Sequence, residues 1–381
     1  MAGNVQLLQK HRTGMKIERI ELKEVSMKLR FNFETSFGAQ QDRNIILLTM
    51  HSEGLEGYSE GVAGEYPGYA YETRETTWAV LKEFAIPLLL GKDISTPAQL
   101  LHELRFIRGH NMAVAALEMA FWDLQAKAAG LPLWQFLGGV RTAIPTGASL
   151  GIQPTVEETV DYVARHVEEG YKRIKLKIKP GWDVQMVRAV REAFPDIDLT
   201  VDANSAYRLT DARVMQELDE LDLTYIEQPL AYDDIVDHAK LQAQIGTPIC
   251  LDESIHSPED TRKALELDAG RVINLKVGRV RGHLQARRVH DVALSFGAPV
   301  WCGGMLEAGI GRAHNLHLSS LENFVLPGDT ASASRYWDED VTSVMLDAVD
   351  GVQQIPDGPG IGVELNDDFI SRSLVRSEEF A

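Results

Sequence analysis

Residues 171–183 read YKRIKLKIKPGWD; LTVDANSAY follows at 199–207, LTYIEQPL at 223–230, PICLDESI at 248–255 and RVINLKVG at 271–278. Each stretch is a short apolar run rich in Val, Ile and Leu that closes on charge. The closing charges are Lys177, Asp202, Glu227, Asp252 and Lys276, spaced 25, 25, 25 and 24 residues apart. A buried parallel strand of about 5 residues, a return helix of about 10 to 15 and two short loops have this period. The segments between, such as DVQMVRAVREAF (183–194) and LTDARVMQELDEL (209–221), carry apolar residues at helical spacing. Thr210 and Ser257 stand where helix N-caps belong, the second with Pro258 just inside. The charges therefore recur once per strand–helix unit, at the carboxyl ends of the strands, the edge where parallel α/β folds bind ligands.

Extending the period in both directions completes the count. IPTGASLG (144–151), ending near Ser149, is the first strand, so Lys177 closes the second and Lys276 the sixth. PVWCGGM (299–305) is the seventh, and FVLPGDT (324–330) an irregular last one. In an open sheet the second and sixth strands lie about 19 Å apart, at roughly 4.8 Å per strand, too far to serve one small substrate. In a closed eight-stranded barrel they face each other across the mouth, with the three carboxylates on the arc between.

Outside the repeat, 381 residues allow two domains, and a net charge of −18 excludes nucleic acid and anionic membranes as partners. No apolar run is long enough to span a bilayer, and the first residues lack a secretion signal, so a cytoplasmic location is expected. Cys250 and Cys302 end apolar runs and read as core thiols. Residues 16–29 and 44–61 have strand character, the latter turning at Glu53–Gly54. Between them RFNFETSFGAQQDR (30–43), with Phe31, Phe33 and Phe37, reads equally as a hairpin under the sheet or a lid over a pocket. Residues 71–137 are helical. AVAALEMAFWDLQAKAAG (113–130) is nearly apolar all round and gives one reason to expect a homo-oligomer; Trp122 and Asp123 within it read as packing and a structural hydrogen bond. His314 and His317, three apart on a helix, read as core or interface histidines rather than metal ligands. GPGIGVELNDDF (358–369) reads as a strand returning to the N-terminal domain.

Three converging carboxylates repel unless a cation neutralises them. Asp202, Glu227 and Asp252 are all oxygen donors with no His or Cys in phase, which favours Mg²⁺ over zinc. Asn204 and Glu253 are placed to support them. Such a centre accepts a substrate carboxylate and stabilises the dianion formed when the adjacent carbon loses a proton. Lys175, Lys177 and Lys179 alternate and share a strand face. One unit charge at about 6 Å and an effective dielectric of about 20 is worth roughly 2.8 kcal/mol, or about 2 pKa units. Lys175 and the ion together could thus bring Lys177 into the range of an acid/base.

These motifs, IKLKIK, VDAN, IEQP, LDES and NLK, with ALEMAFWDLQAKAAGLPL (116–133) and GGMLEAGIG (303–311), resemble the enolase superfamily and, within it, the muconate-lactonizing-type group. The resemblance runs from about Met15 to the end. It implies a modified (β/α)₇β TIM barrel over 141–340 and an α+β capping domain over 15–140 completed by about 341–381; residues 1–14 read as a mobile tail added to that pattern. It implies Mg²⁺, with Mn²⁺ or Co²⁺ as substitutes, on Asp202, Glu227 and Asp252, and a small carboxylate substrate. Within the group the likeness is greatest to enzymes that racemise N-acylamino acids or form o-succinylbenzoate by dehydration, a menaquinone precursor. Lys177 and Lys276 would be the opposed acid/bases, with Ser149, Gly303, Gly304, Met305, Glu307, Phe33 and Tyr66 against the substrate. A dipeptide epimerase, with Asp329 as its ammonium-binding acid, a cycloisomerase and a non-catalytic carboxylate-binding barrel are the alternatives.

Overall fold

In the computed structural model, which describes residues 14–36 and 38–381, the chain opens with an antiparallel sheet. Most of the expected tail and Phe37 lie outside the described residues. Strands β1 (Arg19–Thr35) and β2 (Gly38–Ser52) form a long hairpin, and β3 (Leu55–Gly61) pairs with β2. Glu53 (φ 52°) and Gly54 (φ 81°) make the β2–β3 turn, both in the left-handed region that a tight hairpin needs. The aromatic stretch 30–35 completes β1, so the segment is a hairpin, and its tip reaches the barrel: Ser36 Oγ donates to the Asn204 carbonyl and the Ile152 amide to that of Glu34.

Helix α1 (Asn111–Ala129) lies on β3, where Gly57 permits the approach; a Cβ there would stand 2.1 Å from the Ala120 carbonyl oxygen. One side of α1 (Ala116, Leu117, Ala120, Phe121) packs in the cap core and the other (Ala115, Met119, Trp122, Ala126) in the barrel core. Its all-round apolarity is therefore consumed inside the protomer, and the reason it offered for assembly is withdrawn. Trp122 donates to Glu118, and Asp123 accepts from the Tyr58 and Ile361 amides.

The barrel follows as alternating strand and helix: β4 (Ala148–Leu150), α2 (Val156–Glu168), β5 (Ile174–Lys177), α3 (Val184–Ala193), β6 (Leu199–Asp202), α4 (Ala212–Asp219), β7 (Ile226–Glu227), α5 (Val236–Gln242), β8 (Ile249–Leu251), α6 (Pro258–Glu266), β9 (Val272–Leu275), α7 (His283–Ser295), β10 (Val300–Cys302) and α8 (Gly309–Leu318). The strands are parallel and paired in chain order. The irregular segment 323–329 closes the ring. It bridges Val300 through Phe324 and Thr146 through Gly328, and the Asp329 amide donates to the Cys302 carbonyl. Ser257 caps α6 by accepting from the Asp260 amide, with Pro258 behind it, whereas Thr210 sits inside a short 3₁₀ turn and Asp211 holds the N-cap position of α4.

After a short helix, α9 (Asp367–Ser373), the chain returns to the cap as β11 (Leu374–Phe380), paired antiparallel with β1. The return strand is thus not 358–369. Gly358, Gly360 and Gly362 all have positive φ there, which breaks a ladder, and the loop instead wraps Asp123 through the Ile361 amide. Among the described residues no helix is long and apolar enough to cross a membrane.

Candidate active site

Within the ring, alternation on β5 sends Ile174 and Leu176 into the helix-facing core and aims Arg173, Lys175 and Lys177 inward; all are buried. The register sets Lys177 opposite Asp202 and Asp202 opposite Glu227 on neighbouring strands. Asp252 follows β8 on the next strand, and Lys276 follows β9. The five side chains thus meet at one rim, each no more than 8 % exposed.

Lys177 Nζ donates to Asp202 Oδ2 (2.5 Å) and Asn204 Oδ1 (2.9 Å). Lys276 Nζ donates to Asp252 Oδ2 (2.8 Å) and lies 4.3 Å from the centre of the Tyr69 ring. Lys175 is held by Asp329 (2.7 Å) and Glu227 (2.9 Å), with Asp202 at 3.5 Å, above the face of Trp301. Asn204 Nδ2 donates to Glu253 Oε1 (3.1 Å) and its amide to Asp202 Oδ1 (2.9 Å). Asn204 (φ 42°), Ser205 (φ 64°), Gln228 (φ 37°) and Leu306 (φ 55°) all take left-handed backbone just past the strands. Strain of this kind gathers where side chains are aimed at a site. Gln228 pins the rim loop, accepting from the Asp252 amide and donating to the Ala231 carbonyl.

The electrostatics follow from burial and pairing. Burial alone would raise Asp202, but the Lys177 and Lys175 charges outweigh it and bring the carboxyl down to about 2. Burial and then Asp202 push Glu227 up. Burial, then Asp202, lift Glu253 to about 7, and its Oε2 is buried without a hydrogen-bond partner. Burial works against the Lys276 ammonium, yet the Tyr69 oxygen and the Glu253 and Glu227 carboxylates hold its pKa above the usual lysine value. Burial likewise opposes a charged Lys175, and Asp329, Glu227 and Asp202 more than offset it. Lys175 is thus a fixed cation.

Asp202, Glu227 and Asp252 are buried hard-oxygen donors on consecutive strands, a donor set suited to a divalent cation such as Mg²⁺. Among the described residues no three acidic, His or Cys side chains stand close enough to grip one ion as placed, because the ammonium groups of Lys175, Lys177 and Lys276 reach among them. The carboxylates already draw in positive charge, and the residues fit an ion that takes over part of that pairing.

The expected substrate contacts divide. Lys177, Lys276, Phe33 and Gly304 line both adjoining parts of the cavity at the rim; Tyr66 and Met305 line the cap side, and Ser149 and Glu307 the barrel side. Gly303 does not line it. A Cβ there would stand 2.6 Å from Lys276 Cε and 2.1 Å from Asn274 Oδ1, so this glycine makes room for the lysine stem. Glu307 accepts from the Met305 amide and the Asn315 side chain, which shapes the loop as well. Asp329 lines the barrel side of the cavity with both oxygens already accepting, from Arg173 and Lys175 at 2.7 Å each. Lys179 pairs with Glu34 of the hairpin. His314 bonds His283 and the Tyr58 carbonyl, and His317 the Trp134 amide and the Ile361 carbonyl, so both are core groups.

Several functional groups escaped the reading of the sequence. Tyr69 hydrogen-bonds Asp252 (2.9 Å), Arg279 pairs with Asp252, and Asn274 donates to Glu227 (2.6 Å). Tyr69 lies in a cap loop with no periodic signal. Arg173 and Asn274 were legible in principle, each two residues before a lysine of interest and hence on the same strand face.

Comparison with known proteins gives the family and the fold. Residues 17–138 match the mandelate racemase / muconate lactonizing enzyme N-terminal domain, and residues 158–369 the enolase C-terminal domain-like family. The chain is 56 % identical over 358 residues to an N-succinylamino acid racemase of Thermus thermophilus, covering 94 % of this chain and 97 % of that one. It is 50 % identical over 369 residues to an o-succinylbenzoate synthase of Geobacillus kaustophilus, covering 97 % of each. A crystal structure of an enolase-superfamily member from Listeria innocua superposes with a TM-score of 0.93 at 38 % identity, over 96 % of this chain and 99 % of that one.

Proposed function

From a chain that belongs to the mandelate racemase / muconate lactonizing enzyme family of the enolase superfamily, we propose a racemase of N-acylamino acids, N-succinylamino acids foremost, that also forms o-succinylbenzoate by dehydration. The observation that carries this reading is the placement of Lys177 and Lys276. They close strands four apart in a ring of eight and line one cavity, so a substrate carbon between them has an amine on each face.

Racemisation needs that arrangement. One lysine removes the α-proton and the other delivers a proton to the opposite face, exchanging roles with the hand of the substrate. Asp202 and Asn204 orient Lys177; Asp252 and the Tyr69 ring orient Lys276. Bound on Asp202, Glu227 and Asp252, Mg²⁺ would supply Lewis-acid stabilisation of the negative charge developing on the substrate carboxylate. Lys175 remains charged beneath the site, and the acyl group extends toward Phe33 and Tyr66 of the cap. Dehydration uses the same parts, one lysine as acid/base and the other as a cation beside the enolate. Asp329 lines the cavity but already carries two cations, Arg173 and Lys175, which leaves it little negative charge for the substrate ammonium of a dipeptide epimerase.

One enantiomer of N-succinylmethionine incubated with enzyme and Mg²⁺ in D₂O should lose optical rotation as deuterium enters the α-position. The cyclohexadiene precursor should be converted to o-succinylbenzoate by the same preparation. Absence of both α-exchange and dehydration despite metal binding would leave only a carboxylate-binding barrel; dehydration without racemisation would leave a lyase alone.

A further inference from the structure

A second cavity, of about 490 Å³, lies between the β1 hairpin, α2 and the loop after the last strand, and shares no lining residue with the active-site cavity. Arg30, Arg165 and Arg335 line it together with the Asn32 and Gln153 amides. Arg335 is the core of this cluster. Its guanidinium donates only to neutral acceptors: His166 Nε2 (3.0 Å), the Tyr336 (2.7 Å) and Tyr162 (3.1 Å) hydroxyls and the Ser149 carbonyl (2.9 Å). Among the described residues no carboxylate comes within ion-pair range of Arg335 or Arg165. The faces of Phe31 and Tyr336 lie 5.3 and 5.0 Å from the Arg335 guanidinium, and that of Tyr162 4.9 Å from Arg165. Burial first and the Arg335 charge second bring the His166 pKa down to about 4, so this imidazole accepts without adding charge.

Acidic neighbours offset only part of this charge. Glu169 is the one carboxylate on the wall, and Arg30 meets Asp338 at 3.3 Å, both well exposed. Three guanidinium groups therefore line one cavity against two carboxylates, a formal excess of one positive charge, on a protein whose net charge is −18. A partly buried arginine left with neutral acceptors, beside two others and two side-chain amides, has the chemistry of an oxyanion site.

We propose that this cavity binds a small oxyanion of about two negative charges, of the phosphate-monoester class, against Arg30, Arg165 and Arg335. The site borders the catalytic cavity without entering it, since Arg335 holds the carbonyl of Ser149, whose residue lines the barrel side of the active site.

The test uses inorganic phosphate as probe in isothermal titration of the full chain, with ionic strength held constant by chloride. Saturable binding at a single site is expected. Arg165→Ala should weaken it by about tenfold or more, as loss of a charge-assisted contact does. Arg165→Glu should remove it, and Arg30→Ala should weaken it too. Both positions are exposed, so the thermal midpoints of these variants should match that of the parent chain. Phosphate held by the catalytic lysines would bind the Arg165 and Arg30 variants as tightly as the parent. That result, or no saturable binding at millimolar phosphate, overturns the proposal.

Discussion

Gly303 is occupied space in disguise, because the stem of Lys276 passes where its side chain would be. Gly303→Ala should therefore displace the lysine by a fraction of an ångström or more while leaving most cavity contacts in place. A misplacement of that size costs on the order of a hundredfold in rate, so kcat should fall far more than KM changes, read from α-deuterium exchange; an unchanged kcat would show that Lys276 reaches the cavity another way. The lysines themselves make a harsher test. Lys177→Ala and Lys276→Ala should each lower racemisation by roughly a thousandfold or more, since each supplies proton transfer on one face. Polarimetry on either variant showing near-native racemisation would remove the two-amine mechanism. Residue identity at these places follows from charge and volume, and the strand period already marked both lysines.

At the scale of elements, the cap is held shut by its last strand. β11 covers the edge of β1, and Arg376 reaches Glu24, which is fully buried and also paired with Arg74. Deleting residues 374–381 should expose that edge and leave the Glu24 carboxylate undercompensated. Glu24 keeps Arg74, and Arg376 is itself a third exposed, so the lost charge-assisted contact costs about 1–3 kcal/mol. The truncated chain should unfold at lower denaturant in a chemical denaturation series; an unchanged midpoint would mean β11 is an ornament of the sheet. The β1–β2 hairpin is the functional counterpart. Phe33 pairs opposite Gln40 near its tip and lines the substrate cavity, so Phe33→Ala should raise KM for N-acylamino acids with bulky acyl groups while kcat changes less. An unchanged KM would place the acyl group elsewhere.

The whole molecule carries a pH signature set by buried carboxyl groups outside the set of three acids and two lysines. Burial, the largest cause in each case, lifts Glu60 to about 8 and Glu72 and Glu118 to about 7 from an ordinary 4.5. Glu60 ties cap to barrel by accepting the Ala308 and Gly311 amides at the start of α8, and Glu118 by accepting the His283 and Leu284 amides at the start of α7. A carboxyl whose folded pKa is raised binds more protons folded than unfolded between the two values, so stability falls as pH rises through that window. Buried His166, His314 and His317, all lowered from 6.5, act in the opposite sense, but only below about that pH. From pH 6.5 to about 8 the carboxyl groups dominate, and stability should decline by roughly 1 kcal/mol per pH unit from Glu60 alone. Glu60→Gln should flatten much of that slope in urea denaturation; wild-type stability that is level or rising over the same range would contradict the assignment.

The strand–helix period, the inward lysines and the three acids were determined by the sequence itself, because a parallel barrel repeats one local unit and each unit writes its hydrophobic run and closing charge into contiguous residues. Ser257 at its cap and the turn at Glu53–Gly54 were legible for the same reason: their geometry is settled within a few residues. Closure by an irregular eighth segment could be anticipated only by counting. Tertiary structure alone decided which groups hold the lysines, since Tyr69 and Arg279 meet Asp252 from positions more than two hundred residues apart. It decided that β11 rather than the glycine-broken 358–369 completes the cap, and that the apolar α1 is buried on both sides instead of exposed for assembly. In each of these the energy lies in contacts between distant segments, which no local pattern records.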